Sequence, residues 1–254
     1  MYYQDMLPLL EKVNEPIVIC TVVSTKGSTP RKAGAKMMVT KSGRIFGTVG
    51  GGEFERKVIE EALDVVHDGE ARLCRHELLQ QHDMCCGGVM EVFIERVGKK
   101  PGLYLFGAGH IGMALSKFAA ELDFDVTVVD DRGDFLEQCK QPGVKIMEAS
   151  IDEALAALEF TEETMVVIMT YKHDLDRRIL AHVMQKPHRY LGMIGSRRKV
   201  LLTKKRFRDQ GVATLDEMDE VDMPVGLPIG ANGPKEIAIS ILAKLIAVRN
   251  HVEA

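Results

Sequence analysis

The chain has 254 residues and a formal net charge of −4, with 46% apolar side chains and five cysteines. That length can bury a substantial core as one domain or two, and the mild acidity speaks against nucleic acid or a membrane surface as a partner. No apolar run reaches the roughly 20 residues of a bilayer span. With no secretory-type start and no scaffold-like cysteine spacing, a soluble cytoplasmic protein with reduced thiols is expected.

In chain order, residues 3–13 read as a helix, followed by short β-like runs at 17–24, 36–40 and 44–47. Lys41-Ser42-Gly43-Arg44 between the last two is a hairpin signal. A helix is predicted over 53–67, then strands near 71–79 and 89–95. Gly98-Lys99-Lys100-Pro101-Gly102 is a polar connector punctuated by Pro and Gly, the kind that separates domains. Beyond it come strand 103–106, helix 113–122, strand 126–129, helix 135–139, strand 144–147 and helix 151–158. Strand 165–170, helix 174–184, strand 189–193, helix 196–210 and a closing helix 234–250 complete the chain. The alternation predicts a doubly wound parallel sheet. The expected fold is α/β, with a mixed N-terminal domain over 1–97 and a Rossmann-like domain over 98–254.

The most informative motif is Gly107-Ala108-Gly109-His110-Ile111-Gly112, set between a strand and a helix. Gly107 permits the tight turn, Gly109 lets a phosphate approach bare backbone, and Gly112 lets helix and strand pack closely. Asp130 ends the next strand, where a carboxylate meets a ribose hydroxyl in such folds. A second cluster, Gly47-Thr48-Val49-Gly50-Gly51-Gly52-Glu53, precedes a helix and allows N–H groups to converge on an anion; a plain strand-to-helix turn is the alternative. Gly27-Ser28-Thr29-Pro30-Arg31 supplies hydroxyls and a guanidinium suited to a phosphate or a pterin-like ring edge. Cys85 and Cys86 stand before Gly87-Gly88, free to act as a soft metal ligand or sulfur carrier, or simply as half-buried small side chains. Gly195-Ser196-Arg197-Arg198-Lys199 places cations at a helix start, where the dipole disfavours them and a bound anion would offset the cost. His173-Asp174 follows a strand carboxyl end.

Together these segments resemble the XdhC/CoxI family of xanthine dehydrogenase accessory proteins, in order and over nearly the whole chain. The resemblance rests on Gly27–Arg31 with Gly34-Ala35-Lys36-Met37, the block 47–53, Cys86-Gly87-Gly88, and Gly107–Gly112 with Asp130-Asp131-Arg132. Tyr190–Lys199 and Pro228-Ile229-Gly230-Ala231 with Pro234-Lys235-Glu236-Ile237-Ala238 extend it. It implies a molybdenum-cofactor chaperone more than a turnover enzyme. Such a protein binds molybdopterin, works with a cysteine desulfurase in sulfuration, and delivers the cofactor to a xanthine dehydrogenase-type apoenzyme, as a homodimer. The cofactor-binding residues it implies are Ser28, Arg31, Gly50, Gly51, Gly52, Glu53, Cys86, Gly107, Gly109, Gly112, Asp130, Gly195, Ser196 and Arg197, with Cys86, or Cys85 beside it, approaching molybdenum or relaying sulfur. The chain departs from the family at Thr170-Tyr171, where Thr-His is usual, at Pro228, where an acid is usual, and at Asn232-Gly233. The rival reading is an NAD-dependent oxidoreductase, with Gly107, Gly109, Gly112 and Asp130 on NAD and His110 or His173 as proton donor.

Overall fold

The computed structural model describes residues 3–13, 15–79, 87–97 and 100–252. The chain divides into two compact units, residues 1–99 and 100–254.

In the first unit five antiparallel strands run in the order β3-β2-β1-β5-β4. They are β1 (Ile17–Lys26), β2 (Lys36–Thr40), β3 (Ile45–Gly47), β4 (Arg72–Glu77) and β5 (Val89–Val97). β1 is apolar at successive positions because both of its faces are covered. Ile17 and Ile19 join Met6 and Val13 beneath α1 (Tyr3–Lys12), while Val18, Cys20 and Val22 pack under α2 (Gly52–Asp68). α2 answers with Phe54, Val58, Ala62 and Val65, spaced to form one helical face. Its end is set by Gly69, left-handed at φ 76°, whose N–H closes on the Val65 carbonyl. The predicted hairpin joins β2 to β3, with Gly43 at φ 80° donating to the Thr40 carbonyl at 2.8 Å.

The second unit is a parallel sheet in the order β10-β9-β6-β7-β8: β6 (Gly102–Phe106), β7 (Asp125–Asp130), β8 (Val144–Glu148), β9 (Met165–Ile168) and β10 (Tyr190–Met193). This is the dinucleotide-binding order without its sixth strand, and the direction of winding reverses between β6 and β9. Leu103, Leu105, Val126, Val128 and Val167 face α3 (His110–Ala120) and α9 (Pro234–Arg249). Phe106, Val129, Val166 and Ile168 face the other side, with α5 (Ile151–Ala157), α6 (His173–Val183) and α7 (Arg197–Asp209). Short α4 (Gly133–Glu137) follows β7, and α8 (Leu215–Asp219) follows α7. The helix predicted from 113 begins at His110, because Gly109 in extended conformation serves as its cap. A segment with no strand signal, Asp222 to Val225, runs parallel to β10, exchanging backbone hydrogen bonds with Leu191 and Met193 at 3.0–3.1 Å.

Candidate functional site

At the carboxyl ends of β6, β7 and β9, the three motif glycines separate by role. A Cβ on Gly107, whose φ is 119°, would lie 2.4 Å from the Met169 carbonyl oxygen, and one on Gly112 would lie 2.0 Å from that of Gly107. Both are required by the chain's own packing. A Cβ on Gly109 would meet nothing within 4 Å, so the middle glycine borders open space.

Asp130 is engaged by the chain's own donors. It is 3% exposed, and each carboxylate oxygen accepts two hydrogen bonds. Oδ2 receives the Ala108 N–H at 2.7 Å and an Arg132 Nη at 2.8 Å; Oδ1 receives the Arg132 N–H at 3.1 Å and its Nε at 2.8 Å. A carboxylate has about four lone-pair directions, and all four are taken. Burial pushes the Asp130 pKa up, but the Arg132 and Ala108 donors outweigh it and the net shift is downward. Arg132 is held between the rings of Phe135 and Tyr171, 4.2 and 4.1 Å from their centroids, and the Tyr171 hydroxyl donates to Asp131 at 2.9 Å. The space left beside Gly107, Asp130 and Tyr171 is about the size of one water molecule. A ribose hydroxyl would have to displace Arg132, so Asp130 serves to pin the glycine turn.

The Gly195–Lys199 element is tied to the same crest. The Ser196 side chain caps α7, accepting the Lys199 N–H at 3.3 Å. The Lys199 side chain folds back past Gly195, and its Nζ donates to Asp176 at 2.8 Å. Asp176 is fully buried and also accepts the Thr170 N–H at 2.9 Å and its hydroxyl at 2.7 Å. Sequence reasoning singled out His173-Asp174 and missed Asp176. The signal was present: Asp176 stands in helical register with Ile179, Leu180 and Val183, a carboxylate on an apolar face. His173 is 67% exposed, its Nδ1 3.7 Å from Asp176. Arg197 and Arg198 are exposed.

In the first unit, three elements distant in sequence touch. A Cβ on Gly50 would lie 2.7 Å from Pro30 Cγ, and one on Gly88 would lie 2.3 Å from the Ser28 carbonyl and 2.7 Å from Thr29 Cγ2. Loop 27–31 therefore lies against both the glycine block and Gly88. The N–H groups of the block converge on a carboxylate, that of the chain's own Glu55. Its Oε2 accepts from Val49, Gly50 and Gly51 at 3.0, 3.2 and 3.1 Å, and from the Thr48 hydroxyl. Burial raises the Glu55 pKa, and these donors more than offset it, holding it below the usual carboxylate value.

Around this junction Ser28, Arg31, Gly52 and Glu53 are exposed, and Gly51 is half-buried. Glu53 is bridged by Arg56 one turn along α2, with Nε donating at 3.0 Å. The Thr29 hydroxyl is buried with no hydrogen-bond partner among the described residues. Cys86, the expected metal ligand, lies outside the described residues, directly before Gly87. Among the described residues no cluster of His, Cys, Asp or Glu is arranged to hold a metal ion. Burial raises the thiol pKa of Cys20 to about 12 and of Cys74 to about 11, and raises that of Cys139. Burial thus favours the neutral thiol at all three positions.

The profile of the XdhC Rossmann domain matches residues 103–245, more than half of the chain, and that of the XdhC and CoxI family matches residues 10–77. The chain belongs to this family. Protein YqeB of Escherichia coli K12, itself uncharacterised, is 38% identical over 248 residues, covering 95% of this chain and 45% of YqeB. The chain thus spans less than half the length of that relative. A probable xanthine dehydrogenase subunit from Bacillus subtilis 168 is 24% identical over 334 residues, covering 98% of each chain. The molybdenum cofactor insertion chaperone PaoD of E. coli K12 is 26% identical over 271 residues, covering 93% of this chain and 84% of PaoD. A crystal structure of a xanthine dehydrogenase from Bacillus halodurans shares the fold, with a TM-score of 0.53 at 23% identity over 100% of this chain and 97% of that one. In this chain the junction of loop 27–31, block 47–53 and Gly88 brings three of the motif segments to one place.

Proposed function

We propose that this chain is a maturation protein for molybdenum enzymes. It binds the molybdenum cofactor as cargo, holds it for sulfuration by a cysteine desulfurase, and delivers it to a xanthine dehydrogenase-type apoenzyme. The observation that carries this reading is the junction in the first unit, where loop 27–31, the glycine block and Gly88 meet. The names of two relatives, an insertion chaperone for the same cofactor and a probable xanthine dehydrogenase subunit, support the same class.

The residues fit a phosphorylated pterin in part. Glu55 fills the backbone cradle, so the phosphate falls to the exposed Arg31 guanidinium and Ser28 hydroxyl, both suited to an anionic oxygen. The buried Thr29 hydroxyl lacks a partner and is costly to leave so; a ring-edge acceptor would satisfy it. Cys86 stands two positions before Gly88, which is fixed against Ser28 and Thr29, and is the thiol offered to molybdenum or to the sulfur being transferred. The rival NAD-dependent oxidoreductase loses its ribose acceptor to Arg132.

The test is molybdenum and pterin per protomer after co-expression with the cofactor pathway, for wild type, Arg31→Ala and Cys86→Ala. Wild type is expected to carry the cofactor and to activate a xanthine dehydrogenase-type apoenzyme. Both variants should keep the wild-type melting temperature and lose most of the bound molybdenum. A wild-type protein that carries no molybdopterin and activates no apoenzyme refutes the proposal. Calorimetric titration with NAD addresses the rival, and micromolar binding abolished by Asp130→Asn would revive it.

A further inference from the structure

The helices α3 and α9 share one core through Leu115 and Ala119 on one side and Ile241 and Leu245 on the other. Between α3 and the start of α9 lies an open groove of about 650 Å³. That size lies within the range of small-molecule sites. The groove runs along the flank of α3 from His110 to Phe118 and shares no lining residue with the water-sized space beside Asp130 and Tyr171. Its lining is largely apolar, with half-buried Met113 and Phe118 and exposed Pro234, and it carries the exposed side chains of Lys117, Lys235 and His110.

Charge in this groove is unbalanced. Neither Lys117 nor Lys235 is ion-paired among the described residues. The one carboxylate in the lining, Glu236, accepts the Asn232 N–H at 2.7 Å, so it is turned onto its own helix start. Two ammonium groups against one carboxylate, beside apolar side chains, leave the recess with a net positive charge that favours anions. Methionine, phenylalanine and proline surfaces favour a flat ring, and lysine above an aromatic ring adds to its retention.

We propose that this groove binds a small aromatic anion. Its ring system lies on Met113, Phe118 and Pro234, and its phosphate, sulfonate or carboxylate is held by Lys117 and Lys235. The proposal is argued from the second unit alone and does not depend on the cofactor reading.

The probe is anilinonaphthalene sulfonate, titrated by calorimetry into the native full-length chain. Inorganic phosphate and the uncharged phenylnaphthylamine provide the anion alone and the ring alone. One sulfonate probe per chain is expected, binding more tightly than either control. Lys117→Gln with Lys235→Gln should weaken the sulfonate about tenfold or more and leave phenylnaphthylamine unchanged, while arginine at both positions preserves binding. Ala114→Phe, which fills the groove, should weaken both ring probes in a protein with unchanged circular dichroism.

Unchanged sulfonate affinity in the double glutamine variant overturns the proposal. So does an equal loss of the uncharged probe, or a native chain that takes the sulfonate only after a second copy covering the groove is dissociated. Molybdenum content of the double variant then tells the ligand's source. A fall identifies the aromatic anion with the cofactor cargo, and wild-type content identifies it with a separate metabolite; either result follows from an occupied groove.

Discussion

Glu55 occupies the position a bound anion would take, three residues into the helix that the glycine block introduces. Its pKa is lowered on folding, so the folded state binds that proton more weakly than the unfolded chain. The stabilisation is therefore complete above the usual carboxylate pKa and is lost as pH falls through it towards the folded value. Glu55→Gln should cost about 1–2 kcal/mol at neutral pH, a modest figure because the side chain is partly solvated. The difference from wild type in urea melts should shrink as pH drops below 4.5. In Glu55→Ala the N–H groups lose their partner, so added sulfate should raise the variant's melting temperature more than the wild type's. No differential rescue would mean that the turn does not act as an anion cradle. The motif glycines of the second unit allow a parallel contrast. Gly112→Ala forces a Cβ to 2.0 Å from a carbonyl oxygen and should cost about 3 kcal/mol. Gly109→Ala enters open space and should cost at most about 1 kcal/mol. If Gly109→Ala destabilises as much as Gly112→Ala, the middle glycine is also structural.

At the scale of elements, α6 and α7 and the end of β9 are joined through a single buried carboxylate. Lys199→Ala leaves Asp176 without its cation and should destabilise by about 3 kcal/mol, measured by denaturant unfolding, because a buried charge loses its partner. Asp176→Asn with Lys199→Met should cost less than the sum of the single changes, since neither charge is then stranded. Strict additivity would show that the pair is not coupled. This carboxylate also marks how much the sequence disclosed. The alternating elements of the second unit were legible because strands buried on both faces read as continuous apolar runs such as Val126–Val129. The glycine positions were legible too, because backbone demands leave few other residues possible. Which group answers them was not. Glu55 follows the glycines by only a few residues and Arg132 follows Asp130 by two, yet folding back is decided by side-chain geometry that spacing does not encode. Cys86, the most chemical of the expected site residues, falls outside the described residues. The bridge at Asp222 had no signal because one residue of pairing produces no period.

Across the molecule, each unit covers its own sheet by a different route. The first places α1 and α2 on opposite faces of an antiparallel sheet; the second winds helices over both faces of a parallel one. No helix among the described residues is long and apolar enough to cross a membrane. The second sheet stops one strand short of the full dinucleotide-binding order, and stopping there leaves a problem that Asp222–Val225 resolves. An uncovered final strand is a template on which another polypeptide can add, and four apolar or small residues in a row, Tyr190-Leu191-Gly192-Met193, would make a sticky one. The returning segment takes up the backbone groups of Leu191 and Met193. Val225 presses close to Gly192, and the Tyr190 hydroxyl is bonded to Asp222 at 2.5 Å. Because that segment includes Pro224, which has no N–H to offer, it ends the sheet without presenting a fresh rim in its place. The stretch thus works as a selvedge, and its loss would first be felt as self-association of the chain, before any loss of ligand.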